Sequence, residues 1–124
     1  MSRGTVVRVG AGILLVVLAV LAAPFVRLAL DEGAVPDVSD LPPVPAGVTV
    51  VGDDVGCGSG GCTREVTLRA PDGQSAADLA GEVGTADWTC RTSSLLDRRQ
   101  VCSRAVVVGD DVVVSLYFDR SSIP

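Results

Sequence analysis

Val9 to Val26 is a run of eighteen uncharged, apolar residues, and it limits the chain more than any other feature. In lipid, every backbone N–H and C=O has to be satisfied within the segment itself, so such a run enters a membrane as a helix. At 1.5 Å per residue it reaches about 27 Å, close to the roughly 30 Å of a hydrocarbon core. Arg27 follows and can snorkel, which extends the expected transmembrane helix over residues 9–30.

Arg3, Arg8 and the α-amino group precede this run, while only Arg27 closely follows it; the acidic Asp31 and Glu32 carry little weight in orientation. The bias predicts a cytoplasmic N-terminus (residues 1–8), a single-pass signal-anchor in the cell membrane and an extracytoplasmic remainder. The competing reading is a cleaved secretory signal. Against it, Ala22-Ala23 is followed by Pro24, a poor residue after a cleavage point.

All four cysteines, Cys57, Cys62, Cys90 and Cys102, lie beyond the anchor. In an oxidising compartment they form a disulfide framework with three conceivable pairings. Strand alternation favours Cys57 with Cys62 and Cys90 with Cys102. On the loop-entropy model these rings contribute about 2 and about 3 kcal/mol, comparable to the whole stability of a small domain. A four-thiolate zinc site fits poorly, because Cys-x4-Cys and Cys-x11-Cys lack the two tight knuckles of a zinc ribbon. A dithiol redox site would want Cys-x2-Cys at a helix N-terminus, and neither pair has it.

The chain has no histidine, and all ten of its basic residues are arginine. Schiff-base lysine chemistry and histidine general-base catalysis are thereby excluded. All fifteen acidic residues but only seven arginines follow residue 30, a formal −8 that argues against nucleic acid as a partner. No catalytic, cofactor or metal constellation emerges.

Residues 31–46 contain Pro36, Pro42, Pro43 and Pro45 among acidic residues, and predict an extended, semi-rigid spacer; the alternative is that Leu41 to Pro45 packs as an edge of the domain. Residues 47–124 then form one small domain. Val48–Val51 and Arg64–Arg69 read as two strands joined by a glycine-rich loop. Ser75-Ala-Ala-Asp78 has capping-box spacing, and Ala76, Leu79, Ala80 and Val83 share one face of a helix ending near Gly84. Ala86–Thr92 and Arg99–Val108 would form a hairpin centred on Leu96, with Cys90 opposite Cys102. Gly109-Asp110 predicts a tight turn that sets Val107 against Val112, Ala105 against Val114 and Val101 against Phe118. The expected buried face is Val101, Ala105, Val107, Val112, Val114, Leu116 and Phe118. The fold class is therefore α+β: a transmembrane helix, then a disulfide-stapled antiparallel sheet of about five strands covered by one helix.

Gly56-x-Gly58-x-x-Gly61 matches the letters of a dinucleotide fingerprint and Gly56 to Thr63 approaches a phosphate loop, but the lysine is missing and a strand follows. Asp53-Asp54 lacks calcium-loop spacing. Ser59 has no base to activate it. Arg91, Arg98, Arg99 and Arg104 gather on the third hairpin against only Asp97. Its tip, Leu95, Leu96, Arg98 and Arg99, is the candidate interaction site, for an acidic partner or for lipid headgroups.

Cys57-Gly-Ser-Gly-Gly-Cys-Thr-Arg-Glu65, the segment Ser75 to Ala80 and the pair Cys90 and Cys102 together resemble small, uncharacterised single-pass membrane proteins of actinobacteria. The resemblance implies an architecture and no activity. The expected function is that of a non-enzymatic envelope protein acting as a protein-interaction or accessory module. The alternatives are a small-ligand or redox-sensing module using the Cys57 to Cys62 ring, and an enzyme using carboxylates such as Asp53, Asp54, Glu65 or Asp111.

Overall fold

The computed structural model describes residues 2–31 and 33–122; Met1, Glu32, Ile123 and Pro124, from the expected N-terminus, spacer and domain, lie outside them. Helix α1, Arg3–Leu30, runs unbroken through Pro24 and is long and apolar enough to cross a membrane. Its apolar residues are exposed along almost its whole length. Leu28 is the exception. It is fully buried, and it belongs to the core of the following domain.

That domain is a five-stranded antiparallel sheet with one helix: β1 (Thr49–Gly58), β2 (Gly61–Arg69), α2 (Ala76–Val83), β3 (Thr89–Thr92), β4 (Gln100–Val108) and β5 (Asp111–Phe118). The strand order is β1-β2-β5-β4-β3. Three hairpins are thus joined edge to edge by the pairing of β2 with β5, in which Val66 faces Val114 and Leu68 faces Val112. The α2 connection makes that long-range pairing possible, since it carries the chain across the sheet before β3 begins.

The third and fourth strands pair as the sequence predicts. Cys90 lies opposite Cys102, and Val101, Ala105 and Val107 lie opposite Phe118, Val114 and Val112. Gly109, at φ +62°, makes the turn in a conformation glycine adopts without a Cβ penalty. The Ser75 hydroxyl caps α2 by accepting from the Asp78 backbone N–H at 3.1 Å. Leu79 and Val83 are buried against the sheet.

Three expectations need correction. The glycine-rich segment is not a loop, because β1 and β2 remain paired up to Gly58 opposite Gly61, leaving Ser59-Gly60 as the turn. A strand whose side chains are missing still makes its backbone ladder, so low β-propensity does not end it here. Val107 is 42% exposed, although it lies on the core face. Alternation fixes the face, but the cover runs out there: Ala77, Ala80 and Gly81 of α2 flank a cleft beside Val107 and are too short to close it.

The third correction concerns residues 31–46. Far from a spacer that holds the domain away from α1, part of this segment is a strap across the core face: Pro36 is fully buried, and Ala34, Val38 and Leu41 pack on the hydrophobic core. Asp37 and Asp40 form a reciprocal capping box around a single 3-10 turn, Val38–Asp40. Arg64 Nε donates to the Pro36 carbonyl at 2.8 Å, the Arg91 guanidinium donates to the Asp40 and Leu41 carbonyls, and Ser93 Oγ lies 2.6 Å from an Asp40 carboxylate oxygen. The core is therefore covered in two parts, by α2 and by the strap together with Leu28.

Candidate functional site

Two regions remain uncovered. The first is the sheet face opposite α2. Because paired residues share a face, the register puts Glu65, Thr67 and Arg69 of β2, Val113, Ser115 and Tyr117 of β5, and Cys102, Arg104 and Val106 of β4 on it; Glu65, Arg69, Arg104 and Val106 are exposed, whereas Ser115 and Cys102 are buried among their neighbours. Among the described residues no helix or strand packs there. Trp88, just before β3, lies 41% exposed with its ring edge-on to Tyr117 at a centroid distance of 4.8 Å. The Arg104 guanidinium sits 4.7 Å from the Trp88 ring centre, within cation–π range. Beside them is the Cys90–Cys102 disulfide, which fixes the short edge strand to β4. At the other side of the face Arg69 forms a two-pronged ion pair with Asp111, at 3.0 and 3.1 Å; this hydrogen bond holds the Asp111 carboxyl below the usual range. Asp54 lies opposite Glu65 near the β1 edge. The face thus grades from carboxylates at one edge to an aromatic and arginine cluster at the other.

The second region is one end of the sheet. The Ser59-Gly60 turn, the β3–β4 loop and the C-terminal end of β5 all lie there, since Gly58, Gly61, Gln100 and Phe118 are the corresponding strand ends. Helix α1 enters at the same end: Arg120 donates to the Leu28 carbonyl at 2.5 Å and to the Asp31 carbonyl at 2.6 Å. Gly33, Arg120 and the Cys57–Cys62 hairpin border an open cleft of about 460 Å³. Cys57 is exposed and Cys62 buried.

The four candidate residues of the β3–β4 loop separate into two roles. Arg99 is internal to the fold: its guanidinium grips Asp97, with Nε at 2.8 Å, and lies 4.2 Å from the Phe118 ring centre. That hydrogen bond holds the Asp97 carboxyl below its ordinary value. Leu95 and Leu96 stand out at 87% and 66% exposure, and Arg98 is exposed with no partner among the described residues. The sequence reading grouped all four; only three are free to contact anything.

Both cysteine pairs are disulfides, Cys57–Cys62 and Cys90–Cys102, and among the described residues there is no cluster of three metal-ligating side chains. Asp53 does not stand beside Asp54 as an acid pair: it faces the core side and holds Arg64 at 2.7 Å. The residues that sequence reasoning passed over are Trp88 and Tyr117; it placed Arg104 in the arginine cluster of the third hairpin but not on this face. Their signal was present, because Arg104 and Tyr117 alternate out of phase with the buried Ala105 and Phe118 and so had to share the other face. No protein family, curated protein or solved structure matches the chain.

Proposed function

We propose that the chain is a non-enzymatic envelope protein, anchored in the cell membrane by α1 with its N-terminus cytoplasmic, and that its extracytoplasmic domain is an interaction module. The observation that carries this reading is the uncovered sheet face with its Trp88, Tyr117 and Arg104 cluster. Tryptophan, tyrosine and arginine are the residues that most often dominate protein–protein binding energy, and the partly exposed Trp88, packed on Tyr117 beside the edge strand, offers such a group. The partner that fits is another envelope protein presenting an apolar rim with a carboxylate for Arg104. The arginine-flanked anchor supports the orientation, and the two disulfides suit an oxidising exterior.

The test is a photo-crosslinking amino acid at Val113, on the open face, or at Ala77, on α2, in the full-length protein in living cells. Adducts to one protein from Val113, lost on Trp88→Ala, are expected. Equal adducts from both positions, or reproducible turnover of an envelope substrate by the purified domain, would refute the reading.

A redox or small-ligand module is the second reading. It draws on the exposed Cys57 at the cleft between the hairpin and Arg120. It requires a Cys57–Cys62 potential well above about −300 mV, the range of inert structural disulfides.

A further inference from the structure

The β3–β4 loop carries two leucines where a turn has no use for them. Ser94 N donates to the Asp97 carbonyl and Asp97 N to Ser94 Oγ, so Leu95 and Leu96 occupy the two central positions of a tight turn. Such positions ordinarily carry polar residues, glycine or proline, and no non-glycine residue here has positive φ to explain the choice. Both side chains point away from the core, with Arg98 next to them.

The place of the loop follows from the pairing. Ser93 N donates to the Arg99 carbonyl, closing the β3–β4 hairpin beyond Thr92 and Gln100, and Asp119 N donates to the Gln100 carbonyl. The loop therefore extends from the end of the sheet at which Arg120 grips the last turn of α1. If the hydrocarbon ends near Val26, the headgroup layer, roughly 5–7 Å per leaflet, takes up about four helical residues, Arg27 to Leu30. Leu28, inside that layer, is fully buried in the domain core, and Pro24 and Phe25 on the same helix face are half-buried. No free spacer separates the domain from the bilayer.

We infer that this end of the domain rests on the leaflet from which α1 emerges, with Leu95 and Leu96 inserted among the upper acyl chains and Arg98 on an anionic phospholipid headgroup. The inference rests on the anchor reading above. The loop suits lipid better than a protein groove: it is a small convex tip of two aliphatic side chains and one unpaired cation, and the anchor holds it at the membrane at no further entropic cost. Docked in this way, the sheet stands on its end and presents its open face sideways along the membrane.

The experiment reconstitutes the full-length protein in phosphatidylcholine vesicles, with or without phosphatidylglycerol, containing a phospholipid with a photoactivatable group high on the acyl chain, and maps the adducts. Expected are adducts in α1 and at residues 94–98, with none at the Gly109-Asp110 turn at the opposite end. Leu95→Ser with Leu96→Ser should remove the loop adducts and leave those of α1. Arg98→Ala should lower the loop yield roughly fivefold in anionic vesicles, the weight of one cation near such a surface, and much less in neutral ones. Adducts in α1 without any at 94–98 would overturn the inference while the anchor stands. Absence of adducts in α1 would remove the anchor and the inference together. Loop adducts to a protein in native membranes, with none to lipid in vesicles, would assign the tip to a protein partner and equally overturn it.

Discussion

Replacing Leu28 by alanine should destabilise a domain that lies beyond helix α1 in sequence. The side chain is fully buried among core residues of the sheet, whereas Leu30, two positions on, is 81% exposed. Truncating a buried leucine to alanine costs about 2–5 kcal/mol, the transfer of the lost atoms plus the cavity they leave. The upper part of that range fits where the backbone cannot follow the shortened side chain, and here Arg120 holds the Leu28 carbonyl in place. We therefore expect about 4 kcal/mol, a large share of the 5–15 kcal/mol typical of whole domains. At about 4–8 °C per kcal/mol for a domain of this size, Tm should fall by more than roughly 10 °C. The assay is thermal unfolding of the full-length protein in detergent, followed by fluorescence of Trp88, the only tryptophan, whose packing on Tyr117 reports the sheet. Leu30→Ala makes the same change of helix propensity without the cavity and should move stability by less than about 0.5 kcal/mol. Equal melting of the two variants would refute the view that the end of α1 is a core element.

Other outcomes follow from the same contacts. Replacing Cys90 and Cys102 by serine should cost about 3 kcal/mol and replacing Cys57 and Cys62 about 2 kcal/mol, checked by denaturant unfolding; the reverse order would contradict the loop-length account. Trp88→Ala should weaken partner binding by about 2 kcal/mol or more, roughly thirtyfold, as a central aromatic anchor does, measured by titration once the crosslinked protein is identified. The carboxyls of Asp97, Asp111 and Asp37 are held below the ordinary 3.8, the first two chiefly by hydrogen bonds from Arg99 and Arg69 and the third by the Ser39 backbone N–H. Lowered folded values give stability that is present above 3.8 and lost as pH falls through them, so Tm should be flat near neutrality and drop below about pH 4. A drop centred near pH 6 would point to other groups.

What could be read from residues alone was whatever a local pattern fixes. Alternation in Gln100–Val108 and Asp111–Phe118, with Gly109-Asp110 between them, is enough to set the register of that pair, and a hairpin centred on Leu96 separately brings Cys90 opposite Cys102. The pairing of β2 with β5 has no local signal, because it joins segments some forty residues apart. Leu28 was hidden for a different reason: in an apolar helix every leucine looks alike, and nothing in the sequence marks the one that joins the domain core. The strap was masked by its prolines, which suggest an extended chain but do not say whether that chain lies on a core. Its caps, Asp37 and Asp40, sit at capping-box spacing and were the readable clue. At the candidate site, the exposure of Leu95 and Leu96 could be expected from a hairpin tip, while the engagement of Arg99 with Phe118 depends on a contact between strands.

The central claim is a stapled domain held outside the cell on a membrane anchor. Treating intact cells with a membrane-impermeant maleimide, with and without prior reduction, tests it most directly. The account predicts no labelling before reduction and labelling after it, first at the exposed Cys57 and Cys90 and more slowly at the buried Cys62 and Cys102. Labelling of Cys57 or Cys62 without reductant, or no labelling after reduction until the membrane is permeabilised, would contradict it.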